Sequence, residues 1–189
     1  MKKPFVVLGV YEGHMASAAL MIDGELIAAA HEERFSKIKN DVGMPIQSIL
    51  FCLSEAKLKA EDIDEVYLSN LDFNKNGISN LLLKRQALYS VDDWIKENQV
   101  YWKKIFYENK RMDQGYYNLM GGAKRIKKIK HYYDISKINF KEDEKKLKKK
   151  FNILRKDTLS KFTGIKRNKI RFVDHYLCHH YHAYYSSPF

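Results

Sequence analysis

Short apolar runs separated by polar turns dominate the first thirty residues. The run 5–10 (Phe-Val-Val-Leu-Gly-Val) is typical of a buried strand. Residues 16–22 form a second apolar run, Asp23-Gly24 is a two-residue hairpin signal, and 25–30 form the returning strand. The pattern therefore predicts three consecutive strands at the start of the chain.

Helical spacing begins after this hairpin. Pro45 lies where a helix could begin. The apolar residues that follow it recur three or four positions apart: Ile46, Ile49, Leu50 and Leu53. Two further strands are predicted at 65–69 and 169–173, and a helix follows the second of them. An antiparallel meander followed by crossover connections predicts an α/β fold, in which helices flank a mixed sheet.

Four of the seven histidines lie between positions 175 and 182. His175 and His179 are four residues apart, so on a helix they share one face with Cβ atoms about 5–6 Å apart. This spacing allows both imidazoles to bind one metal ion, and Cys178 could add a soft ligand. A half-buried helix whose histidines only pack or contact solvent explains the same spacing. The spacing leaves both interpretations open.

Other candidate groups lie in the turn after the first strand and in the polar segment after the hairpin. His14 could take a proton from a hydroxyl, because an imidazole titrates near neutrality, or it could be a simple turn residue. Arg34 and Lys39 lie in a charged segment, and by composition alone they would ordinarily be solvated surface residues. Glu32 and Glu33 could instead begin a helix, with favourable charge at its N-terminus.

Composition indicates one folded domain with room for an insertion. The chain has 189 residues and is 45% hydrophobic, which is enough for a core and excludes general disorder. Only a short apolar run follows the N-terminal lysines, so neither a signal peptide nor a membrane span is predicted, and a cytoplasmic location is expected. The two cysteines exclude a disulfide framework. Cys52 lies on the apolar stripe of the first helix and is interpreted as a core thiol.

The net charge of +11 is concentrated in the middle of the chain. Residues 124–150 contain twelve Lys/Arg and four Asp/Glu, which accounts for +8 of the total. This segment lies in a region of helical character, about 75–165, which is predicted to be a basic helical insertion. Its lysines could bind nucleic acid or an anionic surface. The favoured interpretation is a solvated helical face, so nucleic acid is not an expected partner.

Two sets of short motifs, one at each end of the chain, point to a known family. The first set comprises Gly13-His14, Ala16-Ser17-Ala18-Ala19-Leu20, Asp23-Gly24, Glu32-Glu33-Arg34-Phe35 and Lys39. The second set comprises Val173-Asp174-His175, His179 and Ala183-Tyr184-Tyr185-Ser186-Ser187-Pro188-Phe189. Together these blocks resemble, in the right order, the O-carbamoyltransferases of nodulation-factor and antibiotic biosynthesis.

The resemblance implies a ribonuclease-H-like fold of the actin and sugar-kinase superfamily, similar to that of the tRNA threonylcarbamoyl-adenosine synthases. Members of the family make carbamoyl adenylate from carbamoyl phosphate and ATP. They then pass the carbamoyl group to a hydroxyl of a sugar-like or natural-product acceptor, with help from a divalent metal that is expected to be iron. The roles carried over by position are metal binding for His175 and His179, catalysis for His14, and substrate binding for Ser17, Arg34 and Lys39. Ser17 could equally be a strand residue without chemistry.

On this resemblance, residues 1–189 correspond to the N-terminal half of a carbamoyltransferase catalytic domain. The chain would then be a fragment, a truncated gene product or one part of a split enzyme, and its C-terminal half is expected in cis or in trans. The small-molecule carbamoyl donor and the hydroxyl acceptor are the expected partners, without a membrane. The alternative is a non-catalytic binding module of the same fold, whose basic insertion docks an acidic partner or nucleic acid. Salt-sensitive nucleic-acid binding without affinity for carbamoyl phosphate or nucleotide would favour this alternative.

Overall fold

The structure is a computed structural model that describes residues 3–69, 74–83, 90–110, 115–126 and 132–188. The chain forms two compact units. The first comprises Met1–Asp72 and Arg155–Phe189, and the second comprises Phe73–Leu154. Each unit is described separately below.

The first unit is built on a five-stranded sheet. Its strands are β1 (Val6–Tyr11), β2 (Ser17–Ile22), β3 (Glu25–His31), β4 (Glu65–Ser69) and β5 (Ile170–Val173). They are arranged in the order β3-β2-β1-β4-β5. β1, β2 and β3 pair as an antiparallel meander, whereas β4 is parallel to both β1 and β5. The α/β class and the mixed sheet flanked by helices, both predicted from the sequence, are confirmed.

Helices follow the hairpin and the last strand of this unit. The α-helices that begin within it are α1 (Glu33–Ser36), α2 (Ile46–Glu55) and α9 (His175–Tyr185). Short 3-10 turns occupy Ala60–Asp62 and Arg167–Lys169, and the unit also contains the C-terminal end of α8 (Glu144–Thr163). In the described part of the chain, none of the helices is both long and apolar enough to cross a membrane.

Alternating strand residues form the core of the first unit. Leu8, Leu20 and Leu68 have no exposed surface and lie on one face of the sheet, because every second side chain of a strand points to the same side. α2 packs against β2 and β3 and places Cys52 in this core. The Cys52 Sγ lies 3.6 Å from the carbonyl oxygen of Ala18, and burial raises the pKa of the thiol. Its interpretation as a core thiol is confirmed.

The described residues of the second unit form helices joined by turns and short irregular segments. Its helices are α3 (Lys75–Leu83), α4 (Val91–Ile95), a π-helix (Lys96–Trp102), α5 (Lys103–Phe106), α6 (Gly115–Leu119), α7 (Gly122–Ile126), a 3-10 turn (Ile135–Lys137) and the N-terminal part of α8. α8 buries Leu147 and Phe151, whereas Lys145 and Lys149 are exposed. The predicted insertion, about 75–165, includes all these helices. It also continues past Leu154, where the second unit ends, and includes the C-terminal part of α8.

Glu32 stabilises the start of α2. Its side chain is buried and accepts hydrogen bonds from the backbone N–H of Gln47 at 3.2 Å and of Ser48 at 2.8 Å. The Ser48 hydroxyl also donates to it, at 2.8 Å. A carboxylate at this position satisfies helix N–H groups that have no partner within the helix, and it complements the positive end of the helix dipole. Glu33, in contrast, begins α1.

Replacing Glu32 with glutamine is expected to lower the free energy of unfolding by about 1–2 kcal/mol. The amide has one acceptor oxygen in place of two and loses the negative charge at the α2 N-terminus. Urea unfolding followed by circular dichroism measures the difference. Glu55→Gln, at the exposed end of the same helix, is the control and should change stability by less than about 0.5 kcal/mol. Equal losses in the two variants would show that Glu32 does not act as a cap.

Candidate functional site

A cavity of about 770 Å³ lies over the face of the sheet opposite the core, within the first unit. Strand pairing places Gly9 beside Ala19, and Ala19 beside Ala29, so the three residues form a row across β1, β2 and β3. All three line the cavity. Because their side chains are absent or a single methyl group, this row leaves room above the sheet for a ligand.

α9 provides a second wall of the cavity. The side chain of Asp174 caps the helix directly after β5, accepting hydrogen bonds from the backbone N–H of Tyr176 at 2.7 Å and of Leu177 at 3.2 Å. One face of the helix then carries cavity-lining residues at positions i, i+3, i+4 and i+7: His175, Cys178, His179 and His182. The cap therefore fixes the start of α9 directly after β5, and the positions of these side chains on the helix follow from it.

His175 and His179 converge within this wall. Their Nε2 atoms are 3.1 Å apart, and their ring centroids are 4.6 Å apart. Nitrogens at this separation, each about 2.0–2.1 Å from a shared ion, would subtend roughly 100° at it, which suits tetrahedral or octahedral coordination. In the described ranges, no three His, Cys, Asp or Glu side chains are grouped to hold a metal. The pair is therefore a two-ligand site at most within those residues.

The strand ends facing α9 contribute His14, Ser17 and His31 to the same cavity. His14 is exposed in the loop after β1, and Ser17 is the first residue of β2. His31 ends β3, with its Nδ1 3.3 Å from the carbonyl oxygen of Met15, to which it can donate. His175 and His179 also line this cavity, so it contains four of the six residues to which the family resemblance assigns a role. Sequence reasoning missed His31, which lies opposite Ser17 in the β2–β3 pairing.

Arg34 and Lys39 are not among the residues that line this cavity. Lys39 forms an ion pair with Glu33 at 3.1 Å, and its side chain is 77% exposed. The backbone N–H of Asn40, together with the Lys39 ammonium, holds the pKa of Glu33 below its usual value. Arg34 is exposed on the four-residue helix α1. The structure therefore does not bring these two residues together with His14, and their substrate role stays a prediction.

Cys178 also lines the cavity, on α9. Burial raises the pKa of its thiol, and the nearby Asp174 carboxylate raises it further. Its role as a soft metal ligand beside His175 and His179 stays a prediction.

A buried ion pair that the sequence analysis missed lies beneath the His14 loop. Glu12 and Arg155 have no exposed side-chain surface, and the Arg155 Nε donates to the Glu12 Oε2 at 2.6 Å. Arg155 Nη2 also donates to the backbone carbonyl of Ser69 at 2.8 Å, and the guanidinium lies 4.6 Å from the ring centroid of Phe172. Arg155 thus joins the ends of β1 and β4 to β5. The sequence offers no local signal for a contact between residues 143 positions apart.

Three relatives match parts of the chain. The nodulation protein NolNO of Sinorhizobium fredii is 35% identical over 78 residues, covering 41% of this chain and 12% of that protein. An uncharacterized protein of Synechocystis is 42% identical over 53 residues, covering 28% of this chain and 9% of the relative. An uncharacterized protein of Methanocaldococcus jannaschii is 38% identical over 61 residues, covering 32% and 12%. The matches therefore span only a small part of each of these relatives.

A protein-family comparison covers nearly the whole chain. The family described as "Carbamoyltransferase N-terminus" matches residues 6–189, which include every strand of the sheet and every residue of the cavity. The family resemblance found in the sequence is confirmed by this match. The chain belongs to the carbamoyltransferase N-terminal family.

Proposed function

We propose that this chain is the acceptor-side part of an O-carbamoyltransferase. The carbamoyl group would come from carbamoyl adenylate, formed from carbamoyl phosphate and ATP, and pass to a hydroxyl of a sugar-like or natural-product acceptor. Family membership supports the reaction class. The observation that carries the proposal is the cavity that gathers His14, Ser17, His175 and His179 over one face of the sheet. The ribonuclease-H-like superfamily and the expected C-terminal half belong to the same proposal.

His14 is the proposed general base. The acceptor oxygen would form a bond to the carbamoyl carbon while its proton moves to an imidazole nitrogen of His14, and the bond from that carbon to the phosphate oxygen of AMP would break. An exposed imidazole in a loop suits this role, because it can reach a substrate hydroxyl and imidazole is the usual general base of enzymes. Ser17, three positions later at the start of β2, lines the same cavity and would hydrogen-bond the acceptor.

His175 and His179 fit a divalent cation, with iron as the metal expected from the resemblance. Their Nε2 atoms already converge to 3.1 Å, and the short row of Gly9, Ala19 and Ala29 leaves space beside them. When bound, the cation would polarise the carbamoyl oxygen and stabilise the negative charge that develops on it. The open positions of the cation would remain for substrate, solvent or further ligands.

The double variant His175→Ala/His179→Ala is expected to lose metal binding by at least about tenfold, because it removes both imidazole ligands of the proposed site. Titration with Fe²⁺ under anaerobic conditions, together with elemental analysis of protein purified without chelator, measures the loss. His180→Ala is the matched control, since His180 is exposed on the same helix but does not line the cavity. Equal metal content in the wild type and the double variant would refute the metal site.

A further inference from the structure

The rings of Tyr11 and His175 stack on each other at the edge of the cavity. Their centroids are 5.6 Å apart and their planes differ by 16°, which is a parallel arrangement. Tyr11 is the last residue of β1, and His175 is the first residue of α9. Tyr11 therefore covers one face of the His175 imidazole, although the two residues are 164 positions apart in the sequence.

Gly13 leaves the space that the Tyr11 ring occupies. A Cβ atom built on Gly13 would lie 2.4 Å from the Tyr11 Oη and 2.6 Å from its Cζ, far closer than non-bonded atoms approach. The backbone of Gly13 is not in the left-handed region, so its conformation would not oppose an alanine. The obstacle to an alanine is the steric contact with the Tyr11 ring. A side chain at position 13 would therefore push the Tyr11 ring away from its present position.

His175 lacks the usual means by which a metal-binding histidine is oriented. Such a histidine normally donates its second ring N–H to a carboxylate, a carbonyl or water, which fixes the plane of the ring. The His175 Nδ1 is buried, and among the residues that the structure describes it has no hydrogen-bond partner. The stacked Tyr11 ring is a contact that can fix this plane instead.

We propose that Tyr11 is a positioning residue, which holds the His175 imidazole so that its Nε2 faces the Nε2 of His179, and that Gly13 is required because it leaves room for the Tyr11 ring. The proposed role of Tyr11 in orienting the ring is inferred from the observed stack, which acts beside the 3.1 Å hydrogen-bond contact between the Nε2 atoms of His175 and His179. Its consequence for metal binding rests on the proposed function. Tyr11→Leu removes the aromatic face but keeps apolar volume, Tyr11→Phe keeps the ring, and Gly13→Ala displaces the ring without changing Tyr11.

Nuclear magnetic resonance of the metal-free protein tests the orientation directly. A ring stacked on an imidazole shifts the ring protons of that imidazole upfield, so the His175 ring protons should move downfield in both Tyr11→Leu and Gly13→Ala. In Tyr11→Phe they should stay close to their wild-type positions. Tyr185→Leu removes a tyrosine that is exposed farther along α9 and should leave the signals unchanged. Unchanged His175 signals in Tyr11→Leu would overturn the proposal, whether or not the protein binds metal.

Titration with Co²⁺ tests the consequence for the site. The affinity should fall roughly threefold to tenfold in Tyr11→Leu and in Gly13→Ala, and by less than about twofold in Tyr11→Phe. Melting temperatures without metal show whether a variant has lost its fold, and a folded variant with weakened Co²⁺ binding supports positioning. Wild-type affinity in Tyr11→Leu would overturn the link to metal binding. A wild-type protein that does not bind Co²⁺ would refute the proposed metal site, and the proton shifts would still decide the role of Tyr11.

Discussion

Arg155→Met is expected to lower the free energy of unfolding by about 3–5 kcal/mol, because removing one partner of a buried ion pair leaves the other charge uncompensated. Methionine keeps an apolar stem of similar length but has no donor for the Glu12 carboxylate. The carbonyl of Ser69 would also lose its donor. Urea unfolding followed by circular dichroism measures the total loss. Amide hydrogen exchange in β1 and β4 would locate it in the first unit.

Two controls separate burial from charge in this experiment. The double variant Glu12→Gln/Arg155→Met should recover much of the loss, because it removes the isolated buried charge that the single variant leaves. Arg167→Ala breaks an ion pair with Asp157, but the Arg167 side chain is 53% exposed, so its cost should stay below about 1 kcal/mol. A loss in Arg155→Met no larger than that in Arg167→Ala would show that the buried pair does not stabilise the fold.

Under the proposed function, His14→Asn is expected to lower kcat for carbamoyl transfer by about 10²–10⁴-fold, which is the usual contribution of a general base. Asparagine keeps a polar side chain of similar size but does not accept a proton near neutral pH. Because His14 is exposed in a loop, its replacement leaves no cavity in the core, and the melting temperature should change little. Initial rates at saturating hydroxyl acceptor and carbamoyl donor measure the change.

The pH dependence of the rate gives a second readout for His14. In the wild type, the rate should fall as the pH is lowered, because a protonated imidazole cannot take the proton of the acceptor hydroxyl. This acid limb should be absent from the residual activity of His14→Asn. His180→Asn, on the exposed side of α9, should keep both the rate and the pH profile of the wild type. Full turnover in His14→Asn would exclude the residue from the mechanism.

Local sequence patterns were sufficient to predict several strands and helices and the spacing of the candidate site residues on α9. Short apolar runs and the Asp23-Gly24 hairpin signal predicted β1 to β3, and apolar residues at helical spacing predicted α2. The four-residue spacing of His175 and His179 placed both imidazoles on one face of α9, and the structure shows their nitrogens 3.1 Å apart. These features depend on the geometry of a single element, which a local sequence pattern encodes.

Contacts between residues that are distant in the sequence became visible in the three-dimensional structure. Three observations depend on how separate strands and helices pack. Arg34 and Lys39 are not among the residues that line the cavity, Glu12 forms a buried pair with Arg155, and Tyr11 stacks on His175. The family resemblance implied that Arg34 and Lys39 bind substrate, and the structure shows Lys39 in an exposed, local ion pair with Glu33. Glu12 and Arg155 are both buried, and a charge removed from water requires a partner. In this pair the partner comes from a distant part of the sequence.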